Sequence, residues 1–168
     1  MVIILTRPIC KNRIKNRIYT NSTIFLFFIA PKKSDEINQN LRTLLSELNT
    51  LDQDIQKNVS ALKTVELAAN HPAYNYFAQH YALNIHSFDF SPDTPLTETE
   101  KAAFMAWYGE GQSDYLLWEE MRSDEVKQSF PQQIQHVHMD PLEQPLEGKV
   151  YDYVAQMKSN IQRLAGIK

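Results

Sequence analysis

Four short apolar runs, each separated from the next by a segment of helical character, constrain this chain more than any other feature. The runs cover 64–70, 84–89, 114–119 and 134–140. Between them lie a predicted helix over 72–82, a helix opening at Thr97-Glu98-Thr99-Glu100 and running to about Tyr108, and a short helix from Asp124 to Phe130. Strands that alternate with helices predict an α/β fold with a four-stranded, mainly parallel sheet, right-handed crossovers and helices on both faces. In such a sheet all strands end on one edge, which is where open α/β proteins bind ligands. That edge then carries His71, Asp89, Glu119 and Asp140.

Two longer helices flank the alternating part. From Ser34 to Leu62 the apolar residues Ile37, Leu41, Leu44, Leu48, Leu51 and Ile55 recur at steps of three and four, with no glycine or proline between them. This spacing predicts one amphipathic helix, about 43 Å long at 1.5 Å per residue, with Ser34, Asp35 and Glu36 suited to its N-terminus. A last helix is predicted over 149–165, with Tyr153, Met157, Ile161 and Leu164 on one face. The organisation is therefore an arm over 1–30, a long helix over 31–63 and an α/β lobe over 64–168.

Composition narrows the function classes. With 168 residues, 43% hydrophobic and 22% charged, the chain suits one domain that buries its core without disulfides. Its single cysteine, Cys10, excludes an internal disulfide and a thiolate metal cluster. A net charge of −3 gives no reason to expect a nucleic-acid partner. No G-x-G-x-x-G, P-loop or G-x-S-x-G occurs, so nothing marks a nucleotide-binding protein or a hydrolase, and no enzyme activity is expected. The basic stretch Lys11 to Arg17 followed by the apolar run Thr23 to Ala30 imitates a secretory leader. The run is short and no A-x-A site follows, so an arm that packs on the domain or stays disordered is the favoured reading.

Several residues at the predicted edge carry chemistry. His71 follows the first strand, and a neutral imidazole there suits a borderline metal ion; its alternative is a local hydrogen bond at a helix start. Asp140 follows the fourth strand and is kept extended by Pro141, either as a ligand or as an Asx-turn residue. His136 and His138 share a strand face, at the spacing of a chelating pair or of a half-exposed strand surface. His138 is thus an accessory ligand candidate. Glu119 could ligate, orient an imidazole, or cap the following segment. His80 and His86 lack partners at useful spacing, while Tyr74, Tyr76, Phe77 and Tyr81 fall at helical spacing and read as core.

The segment from His71 to Leu83 (HPAYNYFAQHYAL) resembles the H-x-A-x-x-Y-F-x-x-x-Y-G-L segment of the zinc/manganese solute-binding proteins of bacterial ABC importers. Leu116-Leu117-Trp118-Glu119, Met139-Asp140-Pro141-Leu142 and the helix from Tyr151 to Leu164 resemble further segments of that family in the same order. The resemblance covers about residues 31–168. It implies a lobe of a two-lobe protein that holds metal between α/β lobes, with His71 and Asp140 at the positions of two ligands. It implies Zn2+ ahead of Mn2+, because manganese prefers oxygen donors. An ABC permease in the membrane and a periplasmic location, if the chain is exported, are further implications. The family's N-terminal lobe has no counterpart, and Ala82 stands where glycine is usual. The expectation is a metal-binding import component reduced to its C-terminal lobe, with weak zinc binding and self-association into a homodimer. The alternative is a structural remnant without useful metal binding.

Overall fold

The computed structural model describes residues 33–142 and 152–167. The arm over 1–30 and most of the loop from Pro141 to Gly148 lie outside the described residues. The long helix, α1, spans Ser34–Asn58. It is shorter than its apolar spacing predicts, about 37 Å, because the chain tightens into a 3-10 turn over Ser60–Thr64 before the sheet begins. Lys33 rather than Ser34 occupies its N-cap, so the favourable charge comes from Asp35 and Glu36 in the first turn.

Next follow β1 (Glu66–Ala69), a 3-10 turn (Pro72–Tyr74), α2 (Asn75–Tyr81) and β2 (Asn84–Ser87). Then come α3 (Glu98–Tyr108), β3 (Tyr115–Trp118), α4 (Asp124–Lys127), β4 (Gln135–His138) and α5 (Tyr153–Ala165). β1, β3 and β4 are shorter at both ends than their apolar runs, and β2 stops two residues before the end of its run. The sequence signals for α3 hold in detail. Thr97 accepts from the Glu100 backbone and Glu100 answers to the Thr97 backbone, a complete capping box. Asp152 caps α5 by accepting from Ala155 N at 2.9 Å, so that helix begins at Tyr153, not at 149.

All three strand pairings are parallel and the strand order is β2-β1-β3-β4. The fold class is the expected one. Alternate strand residues feed two separate cores. Leu67, Ala69 and Leu117 meet Leu51 and Ile55 of α1, Phe77 and Tyr81 of α2, and Met157, Ile161 and Leu164 of α5. On the opposite face Ala68, Leu116 and Trp118 meet Phe104 of α3, Val126 of α4 and Phe130.

This order positions the site. From β1 the chain moves outward to β2 through α2 on the first face. From β3 it moves the other way to β4 through α4 on the second face. Neighbouring strands β1 and β3 therefore send their following loops in opposite directions, which opens a crevice at their carboxyl ends. His71 follows β1 and Glu119 follows β3.

Not all of the predicted apolar faces are buried. Of the α1 stripe, Leu51 and Ile55 are in the core, Ile37, Leu41, Leu45 and Leu48 are half-buried, and Leu44 is exposed. Tyr76, expected in the core, is 42% exposed, because only Phe77 and Tyr81 of α2 lie on its inward face. Among the described residues no helix is long and apolar enough to cross a membrane.

Candidate metal centre

His71 leaves β1 in extended geometry, φ −145° and ψ 153°, and Pro72 then starts the 3-10 turn that ends the strand. Its side chain is 47% exposed. Two carboxylates flank the ring: Glu119 Oε1 lies 3.5 Å from Nδ1 and Asp89 Oδ1 lies 3.9 Å from Nε2.

Asn70, 1% exposed, holds this corner together. Its Nδ2 donates to Phe90 O at 3.2 Å, and its Oδ1 accepts from Glu119 N at 3.2 Å. Its backbone N donates to Leu117 O and its backbone O accepts from Phe90 N. One buried amide thus ties the ends of β1 and β3 to the segment beyond β2, and it fixes the backbones that carry His71, Glu119 and Asp89. Sequence reasoning did not single out Asn70. An asparagine closing an otherwise apolar strand was its one visible signal.

Asp140 sits in a second, neighbouring corner. Its Oδ1 accepts from Leu142 N at 2.7 Å, the Asx-turn alternative anticipated for an Asp-Pro pair. Its backbone O accepts from Asn160 Nδ2 at 2.7 Å. Asn160 is 1% exposed, and apart from the tyrosines it and Asn70 are the buried polar side chains among the described residues. The corners are joined by Tyr74, whose hydroxyl donates to Met139 O at 2.7 Å. Burial raises the Tyr74 phenol far above its ordinary value, and the nearby Glu119 and Asp140 carboxylates add to the shift. Both carboxylates therefore lie near enough to the Tyr74 hydroxyl to act on it.

Strand alternation explains which predicted residues meet. Leu67 and Ala69, Ile85, and Leu117 all belong to the first core, so His71, Asp89 and Glu119 continue that phase at their strand ends. Met139 also belongs to the first core, which puts Asp140 out of phase with the other three. Among the described residues no ion pair joins His71 to Asp140, and no three His, Cys, Asp or Glu side chains already converge on one ion position.

The strand pair His136 and His138 is drawn elsewhere. The His136 Nδ1 accepts from the Trp118 indole at 2.9 Å, and burial with the Arg122 and Lys127 cations lowers its pKa to about 4. His138 is half-buried and its pKa is lowered chiefly by burial and then by Arg163, whose guanidinium reaches the His138 carbonyl. His80, expected to lack a partner, lies 3.3 Å from Asp52, which also accepts from the Tyr81 hydroxyl.

Residues 25–167 match a protein family described as zinc-uptake complex component A, periplasmic (ZnuA). The chain belongs to that family. No curated protein matches it. Among solved structures it is similar to the Zn(II)-bound ZnuA-like domain of AdcA from Streptococcus pneumoniae, with TM-score 0.72 and 22% identity over 86% of this chain and 57% of that one. It is also similar to the metal-dependent lipoprotein YcdH from Bacillus subtilis, with TM-score 0.78 and 21% identity over 88% of this chain and 58% of that one. A third is the periplasmic zinc-binding protein TroA from Treponema pallidum, with TM-score 0.63 and 14% identity, covering 88% and 58%. At these identities the likeness is one of fold. The chain spans less than two thirds of the length of each of these structures.

Proposed function

We propose that the chain binds a divalent metal ion, zinc before manganese, at the edge that carries His71 and Asp140, as the metal-binding part of a periplasmic ABC import system. The observation that carries this is the position of His71. A half-exposed imidazole stands at the crevice between β1 and β3 with carboxylates on both sides. The donor set fits zinc, which accepts mixed nitrogen and oxygen ligands, and the imidazole argues against a site built for manganese. Capture and release of an ion need no catalytic step. The ion is cargo, to be handed to a membrane permease.

A second reading has its own support. Among the described residues no three ligating side chains converge, so the lobe alone offers an open, incomplete site. A structural remnant of the family would show that feature as well. Zinc titration by calorimetry separates the two. The first reading expects measurable binding that His71→Ala weakens strongly, with a zinc-dependent rise in melting temperature. Equal heats for wild type and His71→Ala, with no thermal shift, would establish the remnant.

A further inference from the structure

Asp89 is the residue at this edge that no role so far absorbs. It lies just past β2, and the chain around it is fixed more firmly than its 93% side-chain exposure implies. Phe88 N donates to Ala69 O at 2.9 Å and Phe90 N donates to Asn70 O at 2.8 Å, so backbone bonds to the end of β1 hold the chain on either side of it. Phe88 and Phe90 stack on one another with ring centroids 4.6 Å apart, and both pack on Phe104 in the second core. A residue between two that face the second core must face the other way. That is the phase of His71.

We propose that Asp89 is a direct oxygen ligand to the divalent cation held on His71 Nε2, with Glu119 as the positioning residue that holds the other ring nitrogen. This rests on the reading of the edge as a zinc site and names a ligand that the resemblance to the family does not supply. The two ring nitrogens are already divided between the two carboxylates. Glu119, 3.5 Å from Nδ1, favours the tautomer with its proton on that nitrogen, which leaves the Nε2 lone pair aimed at Asp89. Two donors on one tetrahedral zinc at ordinary bond lengths stand about 3.4 Å apart. Asp89 Oδ1 stands 3.9 Å from Nε2, so a small side-chain rotation closes the pair on an ion. Because Asp89 projects into solvent and its backbone does not have to move, it suits the first capture of a hydrated ion, with water in the positions left over. Asn70 keeps the arrangement in register, since its one side chain binds the backbones of Phe90 and Glu119.

The test is zinc chloride titration by calorimetry on the full chain, wild type beside Asp89→Asn, Asp93→Asn and His71→Ala. Asp93 is also exposed and near in sequence but makes its contact with Ser91, so it reports the loss of one surface charge alone. Ligation by Asp89 predicts a loss of about tenfold or more in affinity for Asp89→Asn and almost none for Asp93→Asn. Melting temperature without metal should be the same in both, because neither residue is buried. Wild-type affinity in Asp89→Asn, alongside a strong loss in His71→Ala, overturns the assignment of Asp89 and leaves the zinc site standing. Equal losses in Asp89→Asn and Asp93→Asn overturn it in favour of long-range charge. Absence of zinc binding in the wild type overturns the site itself, and Asp89 with it.

Discussion

Replacing Asn160 by leucine tests how the Asp140 corner is held. The side chain is 1% exposed on α5, donates to Asp140 O at 2.7 Å and accepts from Arg163 Nη1 at 3.1 Å. Leucine has the same branched skeleton with larger end groups, so the substitution removes the polarity and adds some crowding. The Asp140 carbonyl would then face methyl groups, at a cost of about 1–3 kcal/mol for an unsatisfied buried acceptor. The Arg163 bond, at the protein surface, adds up to about 1 kcal/mol. The added apolar contact recovers part of that, which leaves about 1–3 kcal/mol. For a chain of this size, that lowers the melting temperature by about 3–10 °C. Asn160→Asp is the sharper control. It keeps the shape and the acceptor for Arg163 but turns the donor that faces Asp140 O into a second acceptor, so it should cost at least as much as leucine. Urea unfolding followed by circular dichroism measures both. Wild-type midpoints for the two variants would refute the claim that this amide holds the turn. A destabilised leucine variant beside a normal aspartate variant would move the cause to packing.

Ala82 closes α2 in the left-handed region, φ 56°, where a side chain is strained and glycine is not. Ala82→Gly should therefore stabilise the protein by about 1 kcal/mol in urea unfolding, the reverse of the usual effect of an added glycine; a lower midpoint would contradict the strain. His136 is neutral in the fold because burial, then Arg122 and Lys127, lower its pKa from 6.5 to about 4. The unfolded chain binds the proton more readily, so this contribution is complete above about pH 6.5 and is lost as pH falls towards 4, by about 1–2 kcal/mol after allowance for solvent screening. His136→Gln should flatten the stability profile between those pH values, and an unchanged slope would count against the buried neutral ring. The exposed Leu44, with Leu41, Leu45 and Leu48 half-buried beside it, predicts concentration-dependent association in sedimentation, reduced by Leu44→Glu. A monomer at every concentration would remove the expected homodimer.

The alternation of apolar runs was enough to read a parallel sheet with helices on both faces, because a short crossover through a helix leaves few other solutions. It did not disclose the strand order. The jump from β2 across β1 to β3 is what makes the β1–β3 edge a crevice, and that depends on which faces α3 and α4 cover. The capping box at Thr97 was legible because all of its partners lie within one turn. Ends set by partners distant in sequence were not. The tightening of the chain after Asn58 follows from docking Val59 and Leu62 under the sheet, and apolar spacing alone reads the same residues as more helix. Tyr76 failed as a core residue for a related reason. Its spacing fits a helix, but α2 is only seven residues long and turns one narrow face inward.

The site residues show the same limit at finer scale. Reading the edge as a line of strand ends puts His71, Asp89, Glu119 and Asp140 on equal terms. The pleat does not. Three of them continue the phase of the first core, while Met139 takes that phase on β4 and leaves Asp140 to the neighbouring turn. A strand's phase is visible in a sequence only when one of its faces is polar. Here Leu67-Ala68-Ala69 and Leu116-Leu117-Trp118 are apolar on both faces, so the sequence contains no mark of which side each end residue takes. The two asparagines supply what the apolar strands lack. Asn70 fixes the corner of His71, Asn160 fixes that of Asp140, and the Tyr74 hydroxyl on Met139 O sets the distance between them. The Asp140 carboxylate is tethered through Oδ1 to Leu142 N, which limits how far it can turn towards His71, whereas Asp89 is exposed and already faces the ring. On the proposed assignment, the first contact of an arriving ion is expected on the His71–Asp89 side of the edge, and a zinc affinity that falls for Asp140→Asn but not for Asp89→Asn would contradict it.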